Sequence, residues 1–386
     1  MPNFTQEQIE GLVDTGKIIG LTLDTTEFFH VGYNYEAPSF KALAQFDGGE
    51  IKVIFSEVVL NEVHADLRDD IEKKAENVRT GLRQTNKAAR LGLDVEALIS
   101  NLSLPDASDR SLDLLNVFID RIGAHRVPVD DGVTARKLHD LYFAAEPPFS
   151  KRPEKKNEFP DAMALLSLEH WAEARDGYVL AISGDNDWKA YAAKSQRIIC
   201  ASQLAPALSL FNRSDAVVAG RLSRNMSAGS TLQLNSLMEN VLHSIVETFE
   251  VEANAPFSYE VDDEYGAIKE WSIENDSFDV IASDEDTVTI AFTVNVVATF
   301  TASFTFEVRD SIDRDYVTVG GAQPSKNETF GLQIVVTVDR EDDSPDPVIL
   351  EIEAEGPPIA VDFGYVDIDY GDDPDAGWQV YKIPLN

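Results

Sequence analysis

The chain has 386 residues and a formal net charge of −36, with 32 Lys and Arg against 68 Asp and Glu. This length is sufficient for two domains. The single cysteine, Cys200, excludes an intrachain disulfide and a cysteine metal cluster. No apolar run reaches the roughly 18 residues of a membrane span, and the first residues lack the pattern of a signal peptide. We therefore expect a cytoplasmic protein.

In the N-terminal part, strand-like and helix-like segments alternate. A strand beginning at residue 17 ends at Asp24, and a short strand within 52–63 runs into a helix that continues to about residue 90. The later predicted elements are helices over 94–102, 111–123, 133–149 and 157–170, and strands over 125–130, 178–185 and 197–202. The strands are rich in β-branched residues. This pattern predicts a buried parallel sheet with helices on both faces, an α/β domain.

The pattern changes near residues 223–235, and we predict one domain over 1–225 and another over 226–386. The second domain begins with a predicted helix over 236–253. Long alternating segments follow, at 287–310, 330–339, 347–355 and 359–370. Alternation of this kind is typical of half-buried strands. We therefore expect a mainly antiparallel β-sandwich or barrel.

Most of the acidity belongs to this second domain. Residues 226–386 contain 34 acidic and 6 basic residues, a net charge of −28, whereas residues 1–225 carry only −8. A domain this acidic repels nucleic acid. A nucleic-acid-binding surface is therefore expected in the first domain.

Several carboxylates are predicted to meet at one edge of the parallel sheet. Asp24 ends the first strand, and Asp185 and Asp187 follow the strand over 178–185. Asp161 lies in the first turn of the preceding helix, and Glu62 in the first turns of the long helix. In parallel α/β sheets, ligands bind outside the carboxyl ends of the strands. These side chains are therefore candidates for one site.

Such a group of like charges needs a cation. Two unit charges about 4 Å apart repel by roughly 4 kcal/mol at an effective dielectric constant near 20. The potential ligands are all oxygen atoms, which favour Mg²⁺ or Mn²⁺. Carboxylate-bound ions of this kind assist attack on phosphodiesters.

Each acidic position also has a simpler structural explanation. Asp161, directly after Pro160, could complement the helix dipole. Asp185 could be a turn residue before a helix, and Asp24 could cap one. Glu57 competes with Glu62 as the second acid, and we favour Glu62.

The order LDTTEFF, SEVVLNEV, KKNEFPDAMALLSL and AISGDNDW resembles the PIN-domain nucleases over about residues 15–215. The resemblance implies a metal-dependent endonuclease, most often acting on RNA. Its four acids would match Asp24, Glu62, Asp161 and Asp185, with Asp187 close to the last. At the fourth motif, Ser replaces Thr and Trp replaces Phe. The helical stretch over about 64–124 is longer than in a minimal PIN domain.

Other residues near these motifs are candidate substrate contacts. The segment over 150–158 contains four bases: Lys151, Arg152, Lys155 and Lys156. It is either an ordinary solvated loop or a phosphate-binding element. Ser183 could position a metal-bound water or cap the strand end. Trp188 could pack beside the site or stack on a base.

The leading hypothesis is a Mg²⁺- or Mn²⁺-dependent ribonuclease whose acidic C-terminal domain regulates it or docks a protein partner. It leaves open a toxin-like role. Two alternatives remain. One is a non-catalytic PIN-like module that binds RNA or protein, and the other is a DNA nuclease with the same site.

Overall fold

The computed structural model describes residues 4–102, 104–130, 132–149, 158–274, 277–309, 316–342 and 344–369. The chain forms two compact units. The first comprises Met1–Val217 with Asp279–Thr289, and the second comprises Val218–Phe278 with Ile290–Asn386. No helix in the described ranges is both long and apolar enough to cross a membrane.

A five-stranded parallel sheet forms the centre of the first unit, as predicted. Its strands are β1 (Ile18–Leu23), β2 (Lys52–Ser56), β3 (His125–Val127), β4 (Tyr178–Ile182) and β5 (Ile198–Ala201). They lie in the order β3-β2-β1-β4-β5, and every neighbouring pair is parallel. The central strand β1 is almost completely buried. The order reverses around β1, so the carboxyl ends of β1 and β4 flank a topological switch point, where ligands bind in such sheets.

Helices flank this sheet. They are α1 (Gln6–Asp14), α2 (Thr25–His30), α3 (Pro38–Lys41), α4 (Glu57–Ala88), α5 (Val95–Asn101), α6 (Ala107–Arg121), α7 (Ala135–Ala144), α8 (Phe159–Glu173), α9 (Asn186–Ala192) and α10 (Leu204–Ser209). The predicted long helix is confirmed as α4, which has 32 residues and begins where the side chain of Ser56 accepts a hydrogen bond from the Val58 N–H. The helix α11 (Ala216–Ser227) begins in the first unit and continues into the second.

A short segment from the second half of the sequence completes the first unit. Within Asp279–Thr289, the strand β8 (Asp279–Ser283) is largely buried. The carbonyl of Ile281 accepts hydrogen bonds from Gln45 Nε2 at 2.9 Å and Asn212 Nδ2 at 3.2 Å. Because Ile281 itself is fully buried, the core of the first unit includes side chains that lie more than 60 positions beyond its main segment.

The second unit is mainly antiparallel, as predicted, and its sheet forms a half-barrel. Its elements are the helix α12 (Leu232–Val246) and the strands β6 (Phe249–Asn254), β7 (Ser258–Ile273), β9 (Thr287–Arg309), β10 (Tyr316–Ala322), β11 (Ser325–Asp339), β12 (Ile349–Glu355) and β13 (Ile359–Tyr365). The strand β9 pairs with β7, β10 and β11. Its even-numbered residues from Val288 to Phe306 are all buried, which is the alternation seen in the sequence.

One predicted element of this unit is wrong. The helix expected over 236–253 ends at Val246, and Phe249–Asn254 forms the strand β6. This strand pairs in parallel with β13, with Phe249 opposite Ile359 and Val251 opposite Val361. The sequence Phe-Glu-Val-Glu-Ala alternates with a period of two. A partner more than 100 positions away in the sequence therefore turns it into a strand.

Candidate active site

A cleft of about 270 Å³ opens at the carboxyl edge of the parallel sheet. Seven residues line it: Asp24, Thr25, Thr26, Glu62, Asp66, Asp161 and Asp185. The four acids that the sequence singled out therefore share one cleft, although they come from four separate segments of the chain.

Asp24 is fixed more tightly than the other acids. It directly follows β1, is 3% exposed and caps α2. Its Oδ1 accepts bonds from the Thr25 N–H at 2.7 Å and the Thr25 hydroxyl at 3.3 Å. Its Oδ2 accepts bonds from the hydroxyls of Ser183 at 2.7 Å and Thr26 at 2.9 Å. The side chain of Asp24 therefore both caps α2 and lines the cleft, so the two explanations are not alternatives.

Asp161 is positioned by a buried indole. It lies in the first turn of α8, and its Oδ1 accepts a 2.9 Å hydrogen bond from Trp188 Nε1. Trp188 is only 1% exposed. It therefore packs beside the site, and no face of the ring is accessible for stacking on a base. The start of α8 is further held by Phe159, whose ring packs on Tyr142 and Phe149.

The long helix α4 contributes two acids to the cleft. Glu62 and Asp66 are four residues apart, so they lie on the same face of the helix. The hydroxyl of Tyr33 donates to Asp66 Oδ2 at 3.4 Å. Glu57 points elsewhere, since its Oε2 accepts a bond from the Val129 N–H at 3.1 Å. The choice of Glu62 over Glu57 as the cleft residue thus agrees with the geometry.

The loop after β4 connects Asp185 to Asp24. The buried hydroxyl of Ser183 donates to Asp24 and accepts from the Asp185 N–H at 3.0 Å. Asp185 is the N-cap of α9, where its side chain accepts a bond from the Asp187 N–H. Asp187 is half-buried and is not among the residues that line the cleft. Ser183 therefore joins two of the four acids directly, whereas a ligand role for Asp187 stays a prediction.

Burial and neighbouring carboxylates shift the ionisation of two of the acids, Glu62 and Asp161. Burial, together with the charges of Asp24, Asp66 and Glu158, raises the pKa of Glu62 to about 7. Burial and a hydrogen bond with Glu158 raise the pKa of Asp161 to about 8, while the bond from Trp188 opposes this rise. Both causes disfavour the charged form. A bound cation would remove this penalty.

The chemistry of the donors fits a hard divalent ion, but their arrangement is not that of a formed ligand shell. Among the residues that the structure describes, no group of three or more His, Cys, Asp or Glu side chains is placed to hold a metal ion. Asp24 provides one physical reason. A carboxylate offers about four acceptor positions, and four donors already use those of Asp24. Ligation by Asp24 would require a threonine hydroxyl to rotate away.

The four candidate basic residues cannot be placed relative to the cleft, and the sequence analysis missed three residues that line it. The basic residues Lys151, Arg152, Lys155 and Lys156 lie outside the described residues. Thr25, Thr26 and Asp66 line the cleft but were not singled out from the sequence. The i,i+4 spacing of Asp66 from Glu62 was the available signal.

The fold and the cleft define an α/β domain with its candidate active site at the carboxyl ends of parallel strands. Residues 21–188 match the family model of the PIN domain. This match is consistent with the resemblance of the sequence to PIN domains, and it includes all four predicted acids. It covers less than half of the chain and does not reach the second unit. No curated protein and no solved structure matches the chain.

Proposed function

We propose that this protein is a metal-dependent endonuclease that hydrolyses phosphodiester bonds in RNA, in the cytoplasm, with Mg²⁺ or Mn²⁺ as its cofactor. The supporting observation is the cleft at the switch point of the sheet, where Asp24, Glu62, Asp161 and Asp185 meet. Burial, with a further contribution from neighbouring carboxylates, raises the pKa values of Glu62 and Asp161, and a bound cation would offset both effects. The position of this cleft inside the region that matches the PIN domain adds to the support.

The roles of the side chains follow from their contacts. Glu62, Asp161 and Asp185 would hold the ion together with Asp24. When bound, such an ion polarises the phosphodiester and lowers the pKa of a water molecule. Trp188 keeps the Asp161 carboxylate oriented toward the cleft.

A substrate comparison tests this proposal. Single-stranded RNA, single-stranded DNA and duplex DNA of one sequence are incubated with the full chain in Mg²⁺, Mn²⁺ or EDTA. We expect cleavage of RNA that requires the ion and is abolished in Asp161→Asn and Glu62→Gln. Asp113→Asn is the matched control, because this exposed residue of α6 changes the net charge by the same amount. Cleavage of DNA in preference to RNA would instead identify a DNA nuclease with the same site.

A non-catalytic PIN-like module is the second candidate, and one observation favours it: the lack of a formed ligand shell in the described part of the chain. Calorimetric titration with Mn²⁺ separates the two. The nuclease requires Mn²⁺ binding that weakens in Asp161→Asn. Nucleic-acid binding without either Mn²⁺ binding or cleavage would support the non-catalytic module.

For the second unit we propose docking of a protein partner or regulation of the nuclease. The support is its net charge of −28 over residues 226–386, which disfavours contact with nucleic acid. Association with a basic protein that weakens as salt rises, and that persists in Asp161→Asn, would agree with the docking role.

A further inference from the structure

A histidine and a buried glutamate lie beside the cleft, on the helix that Asp24 caps. The helix α2 brings Thr25 and Thr26 into the cleft and continues through Glu27 and His30. These two are three residues apart, so they share one face of the helix. Their side chains form an ion pair, with 3.5 Å between His30 Nδ1 and Glu27 Oε1.

The environment of Glu27 makes this pair unusual. Glu27 is 5% exposed, and its Oε1 atom makes no hydrogen bond with any part of the chain that the structure describes. A buried carboxylate is costly unless a cation compensates it, and the Oε1 atom of Glu27 lies 3.5 Å from His30 Nδ1. The His30 imidazole is the cation next to it, and its side chain is 54% exposed. Glu27 therefore favours a protonated His30, and together with Asp24 it raises the pKa of that histidine, although partial burial opposes this effect.

The ring of His30 lies over the loop that carries Asp185. A β-carbon at Gly184 would come within 3.7 Å of His30 Cε1, so the ring rests against the residue between Ser183 and Asp185. Across the same loop, Lys189 Nζ donates to the Gly184 carbonyl at 2.8 Å. The second ring nitrogen, Nε2, is bonded to Cε1 and hydrogen-bonds no residue in the described ranges.

This placement suits a phosphate. A nucleic-acid strand that enters a carboxylate-lined cleft needs cationic side chains at the rim, because phosphates provide much of the affinity and fix the register of the strand. When protonated, His30 offers a charged N–H donor beside the cleft. The charged groups that act on His30 are Glu27 and Asp24. Lys189 contacts the carbonyl of Gly184 on the neighbouring loop.

We propose that His30 is a substrate-contacting residue, donating through Nε2 to a non-bridging phosphate oxygen of the bound strand next to the cleft. Glu27 is its positioning residue, holding the ring through Nδ1. This inference rests on the proposed function, because it assigns the strand to the same cleft.

Binding in EDTA tests the contact without cleavage. A fluorescently labelled single-stranded RNA is titrated with the full chain at several salt concentrations. We expect His30→Gln to weaken binding by roughly tenfold, about 1.4 kcal/mol, because one charge-assisted hydrogen bond is lost. The slope of log affinity against log salt concentration should become shallower by about 0.7, which is the value for one phosphate contact on a single strand. His30→Lys, which keeps a cation, should recover most of the slope.

The matched control is His139→Gln. His139 lies on α7, is 55% exposed in its side chain and contacts an acidic neighbour, Asp140, at 3.0 Å. This substitution should leave both affinity and slope unchanged. Thermal unfolding of each variant separates removal of the phosphate contact from unfolding of the protein.

The variant Glu27→Gln tests whether Glu27 acts through His30, because a purely structural role would not shift the pH dependence of RNA binding. In the wild type, RNA binding should weaken as pH rises through the range in which His30 loses its proton. That decline should shift to lower pH in Glu27→Gln and should shrink in His30→Gln. If the wild type binds RNA but His30→Gln and His139→Gln both match it in slope, the assignment of His30 is wrong and the proposed function stands. If the wild type neither binds nor cleaves nucleic acid, the proposed function itself fails.

Discussion

Replacement of Asp161 by Asn should stabilise the protein at high pH in the absence of divalent ions. The variant keeps an oxygen that can accept the hydrogen bond from Trp188 and resembles the protonated acid. The pKa of Asp161 rises from 3.8, the ordinary value of an aspartate, to about 8 in the folded protein. The folded state therefore holds the proton more tightly than the unfolded chain, and the stability of the wild type falls as pH rises from about 4 to 8.

The size of this effect follows from the shift. About four pKa units at roughly 1.4 kcal/mol each set a ceiling of about 5–6 kcal/mol at pH 8. Solvent at the open cleft screens the charge, which reduces the expected gain for Asp161→Asn to about 2–3 kcal/mol. Near pH 4.5 the gain should be well below about 1 kcal/mol, because the unfolded chain also begins to take up the proton. The raised pKa of Glu62 adds a smaller loss of stability with rising pH, which is present in both the wild type and Asp161→Asn.

Urea unfolding in EDTA at pH 4.5 and pH 8, followed by a probe of the first unit, measures this difference. Asp113→Asn, on the exposed face of α6, should change stability by less than about 0.5 kcal/mol at either pH. Addition of Mn²⁺ at pH 8 should stabilise the wild type more than Asp161→Asn, since binding to the folded state adds to stability. Equal stability of the variant and the wild type at pH 8 in EDTA would refute the raised pKa of Asp161.

Three further outcomes are expected. Trp188→Phe should lower the unfolding free energy by about 1–3 kcal/mol in urea melts, because a buried carboxylate loses its donor, and cleavage assays should show slower turnover with little change in RNA affinity. The double variant Lys155→Ala, Lys156→Ala should reduce the slope of log affinity for RNA against log salt concentration by about 0.7 for each lysine that binds a phosphate. Lys17→Ala, which lies before β1 at the opposite edge of the sheet, should leave this slope unchanged. Asn212→Ala should lower the free energy of unfolding by about 1–3 kcal/mol in the same melts, because a buried carbonyl of β8 loses one hydrogen-bond donor. Unchanged stability would show that this segment contributes little to the first unit.

The sequence by itself determined the local elements and the identity of the acids. Alternating strand and helix patterns were sufficient for the parallel sheet, since β1, β2, β4 and β5 are largely buried apolar segments. Asp24 directly follows β1, and Asp185 lies three residues after β4. Asp161 and Glu62 lie in the first two turns of their helices. Position along the chain therefore already indicates the edge of the sheet that the acids occupy.

Only the tertiary structure decided which side chains touch across the fold. Glu57 turns to the Val129 N–H while Glu62 faces the cleft, and the two differ only in rotation around one helix. The indole of Trp188 reaches Asp161 from 27 residues away, and no local pattern encodes that bond. The end of the helix predicted over 236–253 became a strand because β13 pairs with it. Such outcomes depend on partners distant in the sequence, whose burial outweighs local propensity.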